Sequence, residues 1–364
     1  MNVPHSLKLL LLLVSLACGC KHTPVAEAHS SRHNGWELSD AHADRERLQV
    51  LKDRIARNEY KDIRSIIVIR DGKLLVEEYF NGATAQQLHD VRSVGKTFAS
   101  ALMGIALQEG HLRSVEQPLS EFYDLTKYQN FSPAKASVTL EHLVTMNSAF
   151  EGNDNDAQSV GNEENMYPQG NWVEWTLNLP MDPNAVSGKR WSYFTAGVVL
   201  LGDVLNLRVP GGLERYADSK LFKPLGIERY QWVYTPQGAP SLAGGLQLAP
   251  LDFAKFGQLY KNNGRWGEQQ ILSPEWVARS LSRHHATTFP GDSYGYLWWN
   301  KVYRVGEQAH ETFYCSGNGG NKIFVFKDQP LVIVVTSSAY NRRYMHKQVD
   351  EMMEQFILPA VLGR

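Results

Sequence analysis

Residues 90–106, which read DVRSVGKTFASALMGIA, predict a buried helix with reactive side chains at its start. Phe98 to Leu107 is apolar and rich in alanine, which favours a helix inside the core. Ser93 stands just before this run and Lys96 follows three residues later, so both side chains share one face of the first turn. The free N–H groups and positive dipole end of the helix lie there too. The pair is a candidate for nucleophilic catalysis, the alternative being a capping serine beside a solvent-facing lysine.

The Ser-x-x-Lys spacing occurs a second time, at Ser132 and Lys135. This serine precedes only a short stretch with the β-branched residues Val138 and Thr139, which are weak helix formers. We therefore interpret Ser132 as a loop or cap residue, and Ser93 as the candidate nucleophile.

Strand patterns lie on both sides of a long helical region. Ser65 to Arg70 and Lys73 to Phe80 are joined by Asp71-Gly72, a strong hairpin signal. Lys322 to Phe326 and Leu331 to Thr336 form a second pair of predicted strands. These patterns predict an α/β fold in which both chain ends build one antiparallel sheet flanked by helices. Its α/β part covers about residues 41–110 and 265–364, and residues 111–264 form a mostly helical insertion.

The N-terminus has the pattern of an export signal. Lys8 precedes the apolar run Leu9 to Ala17, which is too short to span a bilayer. Small residues then precede Cys20, as at a bacterial lipoprotein processing site, although Cys18 or an ordinary cleaved signal is an alternative. We expect residues 1–20 to be a signal peptide, with lipid on Cys20, and polar residues 21–40 to be a flexible linker. The protein would then be exported and anchored in the bacterial cell envelope.

Composition excludes several classes of function. The chain has 364 residues and a net charge of −1 without a basic stripe, which argues against nucleic acid as a partner. No spacing typical of a metal site appears, and we expect neither a metal nor another cofactor. Removal of the signal would leave Cys315 as the one free cysteine, so no internal disulfide is expected.

Several motifs resemble, in order, those of the β-lactamase-related serine hydrolases, the class C β-lactamase and penicillin-binding-protein-like group. The match is closest to the 6-aminohexanoate-dimer hydrolase branch and covers nearly all of residues 41–364. The segments that carry the resemblance are residues 90–106, 139–148, 191–202, 254–264 and 294–299. The resemblance implies a β-lactamase/transpeptidase-like fold and a serine hydrolase that cleaves small amides or esters through an acyl-enzyme.

The resemblance also implies roles for individual residues. Ser93 would be the nucleophile and Lys96 its proton-accepting neighbour, while Tyr193 would be the base that later protonates the leaving group. The N–H groups of Ser93 and Asn318 would form the oxyanion hole. A plain aromatic core residue at Tyr193, and a simple Gly/Asn turn at Asn318, are the structural alternatives.

Two positions depart from the family pattern. Thr195 stands where the Tyr-x-Asn motif has asparagine, and could donate a hydrogen bond to a substrate carbonyl. Cys315-Ser316-Gly317 stands where a Lys-Thr-Gly strand motif is expected, so that lysine is missing. Thr195, Ser316 and Gly317 are the predicted substrate-binding residues. Without the lysine, recognition of a substrate carboxylate is unexpected.

Alternative functions remain open at this point. One is a peptidoglycan-type peptidase or weak β-lactamase, which the missing lysine disfavours. Another is a non-catalytic surface lipoprotein that binds peptide or glycan, against which the joint presence of Ser93, Lys96 and Tyr193 argues.

Overall fold

The structure is a computed structural model and describes residues 32–363. The predicted signal peptide, with Cys18 and Cys20, lies outside the described residues, as does the linker from residue 21 to residue 31.

One antiparallel sheet of eight strands organises the fold. In chain order its strands are β1 (Ile63–Arg70), β2 (Lys73–Tyr79), β3 (His285–Ala286), β4 (Ser293–Tyr294), β5 (Trp299–Val305), β6 (Gln308–Gly317), β7 (Asn321–Phe326) and β8 (Leu331–Ser337). Their order in space is β2-β1-β8-β7-β6-β5-β4-β3. The two chain ends meet where β8 pairs with β1, for example Val334 with Ile67. The predicted α/β fold, with a sheet built from both ends of the chain, is confirmed.

Twelve α-helices surround or adjoin the sheet in the described part of the chain. They are α1 (Arg45–Ala56), α2 (Gly95–Gln108), α3 (Pro133–Ala136), α4 (Leu140–Val144), α5 (Glu163–Met166), α6 (Trp172–Asn178), α7 (Thr195–Arg208), α8 (Leu213–Ala217), α9 (Pro250–Lys261), α10 (Pro274–Ser280), α11 (Met345–Met352) and α12 (Leu358–Leu362). Helices α3 to α9 occupy the region predicted to be helical.

The sheet separates two groups of helices. Helix α9 packs so closely on the sheet that a Cβ on Gly257 would lie 2.8 Å from Ile323 of β7. Because side chains alternate across a strand, Lys322 faces the opposite side. That side is covered by α11, whose Asp350 bonds Lys301 of β5. The helix that begins beside Ser93, α2, stacks Phe98 on Phe256 of α9 at 3.8 Å and so lies with α9.

Helix α7 is enclosed by other helices and is apolar on nearly all sides, with Ala196 to Leu201 buried. Between residues 32 and 363, no single helix has the length and apolar composition to cross a membrane. Thr195–Arg208 and Leu213–Phe222 reach those limits only together, as a pair bent by 85°.

Part of the predicted linker is folded. Residues 32–40 include the short hairpin Arg32–His33 with Trp36–Glu37, and the Ser39 N–H donates to the Leu74 carbonyl of β2 at 2.9 Å. Trp36 is buried and packs edge to face on Trp266 with ring centroids 5.5 Å apart. Trp36 attaches this segment to the rest of the fold, which its otherwise polar sequence does not indicate. The prediction of a flexible linker up to residue 40 was therefore wrong for residues 32–40.

Candidate active site

Ser93 and Lys96 lie together at the start of α2. Ser93 belongs to Arg92–Val94, a 3₁₀ helix of one turn that continues directly into α2. In this continuous helical backbone, positions three apart lie above one another. The Lys96 Nζ donates to the Ser93 Oγ at 2.8 Å, and Lys96 is only 1% exposed. The sequence-predicted pair is therefore in direct contact.

The Ala243–Gly245 segment closes over this pair and was not identified from the sequence. The Ala243 carbonyl accepts a second hydrogen bond from the Lys96 Nζ. Gly244 packs against the turn that carries Ser93, where a Cβ would lie 3.5 Å from the Arg92 carbonyl oxygen, an ordinary van der Waals contact. Two acceptors thus fix the ammonium beside the serine.

Tyr193 reaches the same place from the turn before α7. Its ring lies over the Lys96 Nζ, 5.4 Å from the centroid, and stacks on Trp299 at 5.8 Å. Trp191 and Tyr294 complete an aromatic wall behind it. Burial raises the pKa of the Tyr193 phenol, while the charge of Lys96 and the Ser93 hydroxyl lower it. The balance lies above the usual value, because the aromatic wall removes water from the phenol.

Asp154 holds the backbone around Tyr193. Its N–H donates to the Tyr193 carbonyl at 2.8 Å, and its Oδ2 accepts from the Thr195 N–H at 2.6 Å. Burial raises the pKa of Asp154 to about 6, and the nearby Glu163 carboxylate adds to the shift. Asp154 was not selected from the sequence, where it lies in a polar loop without periodicity.

The end of β6 forms the opposite side of the serine. A Cβ on Gly317 would lie 2.0 Å from the Val91 carbonyl oxygen and 3.2 Å from the Ser93 nitrogen, so only glycine fits there. Asn318 follows directly and lines the same cavity as Ser93. The buried Asn321 fixes this turn, since its Nδ2 donates to the Asn318 carbonyl at 2.8 Å. Its Oδ1 bonds His89 Nε2 at 2.9 Å.

Ser316 and Cys315 point in opposite directions. Cys315 is fully buried on the α2 side, where burial raises the pKa of its thiol. Ser316 lines the cavity, and the Lys322 Nζ on neighbouring β7 donates to its Oγ at 3.4 Å. Cys315 stands where the family pattern has a lysine, and the structure brings a different lysine, Lys322 of the neighbouring strand, to this side of the cavity. The sequence contains a signal for this position, because Lys322 is a lysine inside an otherwise apolar strand.

Two other sequence-derived positions lie outside this cavity. Thr195 is 1% exposed at the first residue of α7, and its buried Oγ1 has no hydrogen-bond partner among residues 32–363. Ser132 is the N-cap of α3, where its Oγ accepts from the Lys135 N–H at 3.1 Å. The interpretation of Ser132 as a cap residue is confirmed.

The cavity at this site has a volume of about 360 Å³. Ser93, Tyr193, Ser316, Gly317 and Asn318 line it together. It also includes a group of charged and aromatic side chains that were not selected from the sequence: Asp292, Trp299, Lys301, Lys322, His346 and Asp350. Within residues 32–363, no group of three or more His, Cys, Asp or Glu side chains is arranged to hold a metal ion.

Comparison with known proteins identifies the family. The sequence model of the Beta-lactamase family matches residues 63–353. A comparison with curated proteins gave no match.

Solved structures share the fold at low sequence identity. A protein assigned as a 6-aminohexanoate-dimer hydrolase from Bacillus anthracis superposes with a TM-score of 0.66 at 20% identity, covering 83% of this chain and 80% of the other. EstCE1, described as a hydrolase with promiscuous acyltransferase activity, superposes with a TM-score of 0.67 at 14% identity. The match covers 84% of this chain and 97% of EstCE1. An octameric penicillin-binding protein homologue from Pyrococcus abyssi superposes with a TM-score of 0.66 at 21% identity, covering 88% of this chain and 77% of the other.

Proposed function

The chain belongs to the beta-lactamase family, and from that premise we propose that it is a serine hydrolase of small amides or esters. The reaction would pass through an acyl-enzyme on Ser93. One observation carries the proposal: the Lys96 Nζ lies 2.8 Å from the Ser93 Oγ, and Ser93 lines the same cavity as Tyr193. A nucleophile, a cation and a phenol in contact at one site are the groups that acyl transfer requires.

In the first half of the reaction, the Ser93 Oγ bonds to the substrate carbonyl carbon. The serine proton moves to the Lys96–Tyr193 pair and then to the departing amine or alcohol. In the second half, water attacks the acyl carbon and gives a proton to the same pair. The bond from the acyl carbon to the Ser93 Oγ then breaks, the pair returns the proton to Oγ, and the acid is released. Both halves need the pair in the state with one proton fewer, because a protonated lysine beside a protonated phenol accepts nothing.

The developing negative charge lies between the start of α2 and the end of β6. The N–H groups of Ser93 and Asn318 are the proposed donors, supported by the close approach of Gly317 to the Ser93 nitrogen, 3.2 Å from the position of a Cβ. Donors fixed in this way need no reorganisation when the oxyanion forms.

An active-site probe tests the proposal. A fluorophosphonate should label Ser93 alone, as read by peptide mass spectrometry, and Ser93→Ala should abolish labelling. Ser132→Ala is the matched control, since it alters the other Ser-x-x-Lys pair, and should label like wild type. An unlabelled protein would favour the non-catalytic binding function, and label on Ser132 would reject the assigned nucleophile.

We also propose that the protein is exported and attached to the cell envelope by lipid on Cys20, on the strength of the apolar run Leu9 to Ala17 and the small residue before this cysteine. Mass spectrometry of the purified mature protein should find acyl chains on Cys20. The protein itself should partition into the detergent phase. A mature form that starts beyond residue 20 and partitions into water would contradict the anchor and leave the catalytic proposal untouched.

A further inference from the structure

One carboxylate at the site bonds the first residues of two helices. The Asp154 Oδ2 accepts from the N–H of Thr195, the first residue of α7, at 2.6 Å. Its Oδ1 accepts from the N–H of Glu163, the first residue of α5, at 2.8 Å. The first N–H groups of a helix have no partner within the helix, and a negative charge is favourable there. Phe194, the N-cap residue of α7, has no side-chain acceptor, so Asp154 supplies one.

The contacts of Asp154 with α7 lie on both sides of the Tyr193 phenol. Its N–H donates to the Tyr193 carbonyl at 2.8 Å, and its carboxylate accepts from the N–H two residues later. The turn that carries the phenol is therefore bonded to Asp154 at two points. Glu163, which the same carboxylate bonds, lines the cavity together with Tyr193. Asp154 thus joins α5 to this turn.

Both bonds of the carboxylate depend on its ionised form. An ionised carboxylate accepts hydrogen bonds with both oxygens, and each oxygen of Asp154 faces a backbone N–H. In the protonated form one oxygen carries an O–H, which would point a donor at a donor. Protonation of Asp154 therefore removes one of the two bonds.

Titratable groups on three elements face Asp154. Burial raises the pKa of its carboxyl to about 6, and Glu163 of α5 adds to the shift. Hydrogen bonds from the start of α7 and the charge of Lys96 on α2 act in the other direction. The nearby phenols of Tyr167 and Tyr193 are protonated at neutral pH, because burial raises the pKa of each. Asp154 is therefore mostly ionised at neutral pH and gains a proton as the pH falls through about 6.

We propose that Asp154 is a positioning residue whose ionised side chain holds the Tyr193 phenol beside Lys96. The inference rests on the proposed function and adds an acidic limit to it. When Asp154 gains a proton, the turn before α7 loses one of its attachments and the phenol leaves the position from which it exchanges a proton with Ser93.

A purely electrostatic role of Asp154 would have the opposite sign. The charge of Asp154 raises the pKa of the Tyr193 phenol, so a neutral residue in its place would favour the phenolate and increase activity. Positioning through the backbone requires the reverse, a loss of activity when the carboxylate is neutralised. The direction of the change therefore separates the two roles.

The pH profile of the wild-type protein is the first measurement. Below a pH of about 6, kcat/KM for p-nitrophenyl acetate should lose an additional factor of about ten per pH unit, because one more group must then be deprotonated. The rate at which a fluorophosphonate labels Ser93 should bend at the same pH, which excludes an effect of the ester. Circular dichroism over the same range establishes that the protein stays folded.

Variants then assign the bend to Asp154. Asp154→Asn replaces one accepting oxygen with a donor and does not titrate. It should lower kcat by about 10- to 100-fold at neutral pH with little change in KM, and its profile should lack the bend. Asp154→Glu keeps a carboxylate at a different distance, so it should keep a bend at a shifted pH with reduced kcat.

Asp203→Asn is the matched control. Asp203 lies farther along α7, where burial also raises the pKa of its carboxyl and its Oδ2 accepts from the Tyr123 hydroxyl at 2.7 Å. The same substitution there should keep the wild-type kcat and the bend.

Three results would overturn the inference: a wild-type profile without the bend, a bend that persists in Asp154→Asn, or a variant at least as active as wild type. If Asp154→Asn does not fold, a bend at unchanged pH in Asp154→Glu would do the same. If Ser93 is still labelled in any of these cases, the proposed function stands alone. If Ser93 is unlabelled at every pH and no ester is cleaved, both fail.

Discussion

The two Ser-x-x-Lys segments have the same spacing and different geometry. At the first, the Lys96 Nζ lies 2.8 Å from the Ser93 Oγ. At the second, the Lys135 Nζ bonds the carbonyls of Gln129 at 3.0 Å and Leu177 at 2.9 Å, while Ser132 accepts from a backbone N–H. Both lysines are buried, at 1% and 0% exposed.

The backbone of the serine explains the difference. Ser93 lies in a helical turn continuous with α2, so its side chain and that of Lys96 share a face. Ser132 is extended, with φ −154° and ψ 155°, which turns its Oγ back to cap α3. The Oγ of a capping serine accepts a hydrogen bond from a backbone N–H and does not bond the lysine side chain. The spacing therefore indicates catalysis only when the serine is already helical.

The largest contrast is expected between the two lysines. Lys96→Met should lower kcat/KM for p-nitrophenyl acetate by about 10³-fold or more, because the serine loses its proton-transfer partner. Lys135→Met should leave kcat/KM near wild type and lower the free energy of unfolding by about 1–3 kcal/mol per carbonyl left unpaired. Urea denaturation and steady-state kinetics on both variants measure this. Equal loss of activity in both would remove the distinction between the segments.

A second prediction concerns pH. Since burial holds the pKa of Tyr193 above its usual value, the phenol is protonated at neutral pH. If its phenolate is the base, kcat/KM should rise by about tenfold per pH unit from neutral into the alkaline range. Tyr193→Phe should lower kcat by about two to four orders of magnitude and flatten this rise. A flat wild-type profile, or near-full activity of the variant, would leave Lys96 as the sole base.

A smaller effect is expected at the turn that carries Asn318. Asn321→Ala removes the hydrogen bond to the Asn318 carbonyl and frees the Ser337 N–H, which donates to the Asn321 Oδ1 at 2.9 Å. We expect kcat to fall by about tenfold, less than for loss of an oxyanion donor itself, with little change in KM. A change in KM alone would assign Asn321 to substrate binding and not to positioning.

The smallest effect is expected at Ser132. Ser132→Ala removes the N-cap of α3 and should lower stability by about 1 kcal/mol with no change in kcat/KM. Thermal denaturation and ester kinetics check both parts. A clear loss of activity in this variant would indicate that the second segment contributes to catalysis.

Much of the fold was predictable, because long apolar patterns carried it. The β1–β2 hairpin, β7, β8 and the buried helix α2 follow from periodicity and turn residues. The β5–β6 hairpin was missed, since Lys301, Arg304 and Glu311 interrupt its apolar pattern. Several of these polar side chains are paired in the structure, as Lys301 is with Asp350, and long-range pairing of this kind leaves no local signal.

The site divides in the same way. Ser93, Lys96 and Tyr193 could be selected because they fall in recognisable motifs, and the structure brings them together. Lys322 and Asp154 could not, since their positions in the cavity depend on strand register and on loop contacts far apart in the chain. Thr195 was selected from motif position, yet the start of α7 buries its hydroxyl.

Trapping the intermediate tests the central claim most directly. The enzyme is mixed with p-nitrophenyl acetate, quenched with acid within the first turnover and digested. The peptide that contains Ser93 should then carry an acetyl group. The adduct should disappear in Ser93→Ala and persist in Ser132→Ala. An acetyl group on Ser132, or rapid turnover in Ser93→Ala, would contradict the assignment of Ser93 as the nucleophile.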